Sequence, residues 1–142
     1  MEKEVKDVTI ITGTVGQDAH VIGISILSRA LRDEGFKVIE LKSLTSPEEF
    51  IKAAQETSAD AILISSMYGM AEQDLTGFKD KCSEAGLGDV LLYLGGYLAV
   101  GRHDFKDDEQ KFKKMGFARV YPPGLEDLEG VIADLKSDLR VR

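Results

Sequence analysis

The chain has 142 residues, 43% of them hydrophobic and 30% charged, and 25 acidic against 18 basic side chains leave a net charge of −7. That length suits a single domain over 1–142 with a sizeable core, and the acidic balance argues against nucleic acid or an anionic membrane as a main partner. No apolar run approaches the roughly 20 residues of a membrane-spanning helix, the charged start Met1-Glu2-Lys3-Glu4 has no apolar signal core, and a single cysteine, Cys82, excludes an internal disulfide, so a cytoplasmic protein is expected.

Val8-Thr9-Ile10-Ile11-Thr12, closed by Gly13, predicts a buried strand. Gly23, Ile26, Leu27, Ala30 and Leu31 then recur at helical spacing, and Gly35 ends that helix. Residues 36–41 predict the second strand. Ser46-Pro47-Glu48-Glu49 combines a cap, a proline at the first helical position and a capping-box glutamate. Ala61-Ile62-Leu63-Ile64 predicts the third strand and runs into Ser65-Ser66-Met67-Tyr68-Gly69. One helix is expected through Leu75, Phe78, Lys79 and Cys82 up to Gly86, followed by a strand over 90–94 and then Gly95-Gly96. Asp107 is the expected cap of a short helix that stops at Gly116. Arg119-Val120-Tyr121 predicts a fifth strand, Pro122-Pro123-Gly124 breaks the chain, and Leu128, Ile132, Leu135 and Leu139 stripe the last helix.

Five strand-helix units with short connections predict an α/β fold with helices on both faces of a parallel sheet. The expected architecture is flavodoxin-like (Rossmann-like) and doubly wound, with five strands in the order 2-1-3-4-5. Ligands of such folds sit outside the carboxyl ends of the strands, at the switch point.

The loops after strands one, three and four combine a metal-capable ring, hydroxyls and bare backbone, a mixture suited to a large ligand. His20 follows Asp18 by two residues. The carboxylate can hold one ring nitrogen and leave the other to coordinate a metal; alternatively, His20 is a loop histidine bonded to a local carboxylate. Gly23 leaves space above the helix start for something bulky. Ser65 and Ser66 either cap their own backbone or offer a hydroxyl to a heterocycle nitrogen inserted between sheet and helix. Gly95-Gly96 makes a tight turn and clears space, Tyr97 is a pocket wall or a partner-facing ring, and Gly101 adds bare backbone. His103 sits in a polar segment and is expected to be solvated, and Cys82 is expected to pack. Gly13-Thr14-Val15-Gly16 lacks the ending of a phosphate-binding P-loop, and no Gly-x-Gly-x-x-Gly follows strand one. No Cys/His cluster suits structural zinc, and strand three ends in serine where a receiver domain would carry aspartate.

Asp18-x-His20-x-x-Gly23, Ser65-Ser66-Met67-Tyr68-Gly69 and Gly95-Gly96 together resemble the Asp-x-His-x-x-Gly, Ser-x-Leu and Gly-Gly pattern of cobalamin-binding domains. Glu84-Ala85-Gly86-Leu87 and the run from Lys114 to Gly124 are similar to the small (sigma) subunits of glutamate mutases, also called methylaspartate mutases. Met67 stands where leucine is usual, a change of similar volume, and Tyr97 stands where asparagine is common.

The resemblance implies a cofactor, adenosylcobalamin (coenzyme B12), with His20 as its axial cobalt ligand and Asp18 holding the other ring nitrogen. Ser65 would bond the base of the cofactor's detached nucleotide tail, and Gly23, Gly95 and Gly96 would leave room for it. Gln17, Ala19, Val21, Ser66, Met67, Tyr97, Leu98, Ala99, Val100 and Gly101 would complete the binding residues. It implies a radical carbon-skeleton isomerase interconverting L-glutamate and threo-3-methylaspartate. The substrate site would lie on a large (epsilon) TIM-barrel subunit, in a heterotetramer of two small and two large subunits, and no catalytic residue would lie in this chain.

A corrinoid carrier for methyl transfer, or the small subunit of another B12-dependent mutase, would use the same His20. Methyl carriers usually place a helical bundle ahead of the corrinoid fold, and strand one is expected to begin here at residue 8. A flavodoxin-like or signalling domain without corrinoid is the third alternative.

Overall fold

Runs of β-branched and aliphatic residues form the centre of a five-stranded sheet in the computed structural model, which describes residues 4–15, 22–41, 45–66, 71–95, 105–121 and 128–141. The strands are β1 (Thr9–Thr14), β2 (Lys37–Glu40), β3 (Ala61–Ser65), β4 (Leu91–Gly95) and β5 (Arg119–Tyr121). The helices are α1 (Ile22–Asp33), α2 (Pro47–Thr57), α3 (Ala71–Leu75), α4 (Phe78–Glu84), α5 (Phe105–Lys114) and α6 (Leu128–Asp138), and a 3-10 turn, Val5–Asp7, precedes β1. All pairings are parallel, in the expected order β2-β1-β3-β4-β5. No described helix is long and apolar enough to cross a membrane.

Successive strand side chains point to opposite faces, so each central strand feeds two cores. Ile11, Ile62, Ile64, Leu92, Leu94 and Val120 pack with Phe50 of α2, Leu75 of α3, Phe78 and Cys82 of α4, and Phe112 of α5. On the other face Ile10, Ala61, Leu63 and Tyr93 pack with Ile24, Leu27 and Leu31 of α1 and with Ile132 and Leu135 of α6. Two-sided burial explains why these strands are apolar throughout rather than alternating.

Local chemistry shapes the elements. The Ser46 hydroxyl accepts the Glu49 N–H at 3.2 Å and caps α2, with Pro47 at its first position. The Glu49 carboxylate accepts from that hydroxyl at 3.2 Å, in place of the backbone bond of a full capping box. Gly13 does not close β1: it pairs with Ile64 inside the strand. A Cβ there would lie 3.0 Å from the Phe50 ring and 3.2 Å from Leu41 Cβ, so the missing side chain is what lets α2 seat against the sheet. The single helix expected through Cys82 is two, because Gly77 takes φ 76° between α3 and α4. Leu75, Phe78 and Cys82 remain buried together across the break. Asp107 lies inside the first turn of α5 and does not cap it; a negative charge there still suits the helix dipole. The buried stripe of α1 is Ile24, Leu27, Ser28 and Leu31, and Ile26 is 48% exposed.

Candidate functional site at the carboxyl edge of the sheet

The chain leaves β1 toward β2 on one side, and β3 lies on the other. The carboxyl ends of β1 and β3 therefore flank the switch point, where doubly wound folds open a crevice. Parallel register brings four residues into one row across that edge. Thr14 is opposite Ser65, Ser65 opposite Gly95, and Gly95 opposite Tyr121. Strand alternation puts this row on the face covered by α1 and α6, with Ile10, Leu63 and Tyr93 further down the same strands.

The row is small and polar at its centre. Thr14 is buried and Ser65 half-buried. Beneath them the Thr12 and Ser28 hydroxyls share a buried hydrogen bond of 2.8 Å that ties α1 to β1. A Cβ on Gly95 would meet Tyr121 Cβ at 3.6 Å and Tyr121 O at 3.7 Å, ordinary contacts, so the protein's own described packing does not demand glycine there. The row has no side chain at this position.

Ser66 follows immediately. Its N–H donates to the Gly95 carbonyl at 3.0 Å, while the Ser65 carbonyl accepts from the Val15 N–H at 3.1 Å. The Ser66 side chain is fully buried, yet its Oγ has no hydrogen-bond partner among the described residues. It does not cap its own backbone, so that alternative fails for Ser66. A buried hydroxyl left without a partner is uncommon and marks a place where an additional group would be accommodated.

Three of the expected site residues, Ser65, Ser66 and Gly95, thus come together, and Gly23 lies in the first turn of α1. Gln17, Asp18, Ala19, His20, Val21, Met67, Gly96, Tyr97, Leu98, Ala99, Val100 and Gly101 lie outside the described residues, as do His103 and Pro122-Pro123-Gly124. Thr14, Ser28 and Tyr121 are additions. The signal for Thr14 was present, since Thr12 and Thr14 are polar at alternate positions of an otherwise apolar strand, as Ser65 is at the end of β3.

A second polar cluster borders the row on its β5 side. The Tyr121 hydroxyl donates to Asp134 Oδ2 at 2.7 Å and the Tyr93 hydroxyl to Asp138 Oδ2 at 2.5 Å. Arg119 grips Asp138 with two bonds, Nε to Oδ2 at 2.8 Å and Nη2 to Oδ1 at 3.0 Å, and its Nη1 lies 3.4 Å from Asp134 Oδ1. The Arg119 hydrogen bond holds the Asp138 carboxyl below its usual range. Burial first, then these carboxylate bonds, push both tyrosines well above theirs, so both remain neutral donors. Burial also raises the Cys82 thiol to about 11, as expected of a packing cysteine.

Residues 8–116 match the B12 binding domain family. The chain is 54% identical over 134 residues to the glutamate mutase sigma subunit of Carboxydothermus hydrogenoformans, covering 94% of this chain and 97% of that one. It is 49% identical over 141 residues to the glutamate mutase sigma subunit of Clostridium cochlearium, covering 99% of each. The chain belongs to the B12-binding family, among its glutamate mutase sigma subunits. Asp18, His20, Gly23, Ser65, Ser66, Gly95 and Gly96 all fall within the segment matched to the family, whereas Tyr121 and α6 lie beyond it. Among solved structures, a cobalamin-binding protein from Desulfitobacterium hafniense superposes with a TM-score of 0.70 at 21% identity, over 92% of this chain and 59% of that one. At that identity the likeness bears on the fold alone.

Proposed function

We propose that this chain is the cobalamin-binding subunit of a glutamate mutase, an isomerase that completes its active site with a separate catalytic subunit. The observation that carries this is the near full-length identity to glutamate mutase sigma subunits. The described residues fit such a cofactor: a row of small and hydroxyl side chains lies at the switch point, with no side chain at Gly95, and the Ser66 hydroxyl at the end of β3 has no partner among the described residues.

The finer assignment follows the motif. His20 would ligate the cobalt, and the Asp18 carboxylate would accept a hydrogen bond from its other ring N–H, fixing the tautomer and raising the basicity of the ligating nitrogen. Ser65 bonds the base of the nucleotide tail. Gly23, Gly95 and Gly96 leave room for that tail, and Gln17, Ala19, Val21, Ser66, Met67, Tyr97, Leu98, Ala99, Val100 and Gly101 surround the cofactor. When bound as adenosylcobalamin, the cofactor supplies radical chemistry through its weak cobalt–carbon bond. The chain's own part is to bind, orient and present it. Glutamate is held by a large (epsilon) TIM-barrel subunit, in an assembly of two small and two large subunits, and a cytoplasmic location belongs to the same reading.

The test begins with the purified chain and adenosylcobalamin. Binding is expected, and the cobalt(II) form of the cofactor should show coupling to protein nitrogen when histidine is labelled with nitrogen-15. His20→Ala should abolish that coupling. Turnover of glutamate should require the large subunit. Binding without histidine coupling would sink the assignment of His20, and turnover by this chain alone would sink the division of labour.

A further inference from the structure

The Arg119 cluster does more than close the sheet edge. It joins α6 to β4 and β5 at two levels. Asp134 and Asp138 are one turn apart on α6, and each receives one tyrosine hydroxyl. Arg119 sits between the two carboxylates and contacts both. Arg119 and Tyr121 alternate on β5 with buried Val120, so both present their side chains to the α6 face while Val120 fills the opposite core. Every carboxylate oxygen of the pair has a partner, and a bidentate guanidinium fixes direction as well as distance.

The two rings held in this way lie on the same face of the sheet as the polar row. Tyr121 ends the row itself, opposite Gly95. Tyr93 lies two residues below Gly95 on the same strand face, opposite Leu63 and Arg119. The rings touch each other, with centroids 5.6 Å apart and planes tilted by 59°. The Cβ position of Gly95 is therefore flanked by Tyr121, whose Cβ and carbonyl oxygen lie 3.6 and 3.7 Å from it, with Tyr93 two residues below on the same strand face, and neither ring turns without breaking a bond to α6.

We infer that Arg119, Asp134 and Asp138 are positioning residues, which hold Tyr121 and Tyr93 as the side wall and floor of the slot that receives the nucleotide tail of a corrinoid. The inference rests on the cobalamin reading above and assigns to that slot a rim built from β5 and α6. The cluster acts on the tail and not on the macrocycle, and that separates it from a merely structural role.

The experiment compares cobalamin with cobinamide, a corrinoid that lacks the nucleotide tail, by titrating each into the full chain and following its visible spectrum. Asp134→Ala frees the Tyr121 hydroxyl and should weaken cobalamin binding about tenfold, the loss of one hydrogen bond to a charged group. Cobinamide binding should stay within about twofold. Asp134→Asn keeps an acceptor oxygen and should recover most of the loss. Should Asp134→Ala fold poorly, Tyr121→Phe removes the same hydrogen bond while leaving both carboxylates to Arg119. Equal affinity of wild type and variants for cobalamin would overturn the inference, as would equal losses for both corrinoids. A wild-type chain that binds neither corrinoid would instead overturn the cobalamin reading itself.

Discussion

Ser66 shows how a single atom can report on a site. Its hydroxyl is buried at the end of β3 with no partner among the described residues, while its backbone N–H donates to the carbonyl of Gly95. Removing an unsatisfied buried polar atom relieves its desolvation cost, so Ser66→Ala should stabilise the cofactor-free chain by about 1 kcal/mol. Urea unfolding without cobalamin measures this, and a loss of stability would mean that the hydroxyl has a structural partner. Ser65, Ser66 and Gly95, the expected site residues that the structure brings together, were legible at this scale. A carboxylate two residues before a histidine, serines at a strand end and paired glycines are chemical signals carried by residue type alone. Thr14 carries a weaker signal, a polar residue in an apolar strand, and Tyr121 carries none in its own segment; both gain meaning only opposite Ser65 and Gly95.

Among the elements, ends with explicit chemistry were legible and breaks without it were not. Ser46 and Pro47 begin α2 as their types dictate. Gly77 divides α3 from α4, although apolar spacing continues across it, because burial periodicity carries no information about one backbone dihedral. Gly13 lies inside its strand rather than ending it, and its use is contact between elements. Gly13→Ala would press a methyl group onto the Phe50 ring from 3.0 Å and onto Leu41 Cβ from 3.2 Å. The expected cost is about 1–3 kcal/mol, typical of overpacking. Adding Phe50→Leu should recover part of it, since the clash is with the ring. No coupling between the two changes in a double-mutant cycle would show that the strain lies elsewhere.

For the whole molecule, Cys82 offers a probe of cooperativity. It is fully buried in the core shared by α2, α3, α4 and α5, and its thiol is raised from 9.0 to about 11. A raised thiol is protonated at neutral pH, and a shift of this size lowers the reactive thiolate fraction about 100-fold even before access is counted. Labelling by a thiol reagent at pH 8 should therefore be slow and should accelerate with urea in step with global unfolding. Fast, urea-independent labelling would show that this face opens locally. The chain's alternation of β-branched runs with amphipathic segments was enough to determine a parallel doubly wound sheet, and its motifs were enough to determine the family. Only the tertiary structure decided which residues face one another across that sheet. Register in a parallel sheet is set by the long crossovers and by packing on both faces, and a slip of one residue would turn every side chain of a strand to the other core. The row from Thr14 to Tyr121, and the clasp that holds its last ring, exist only once that register is chosen.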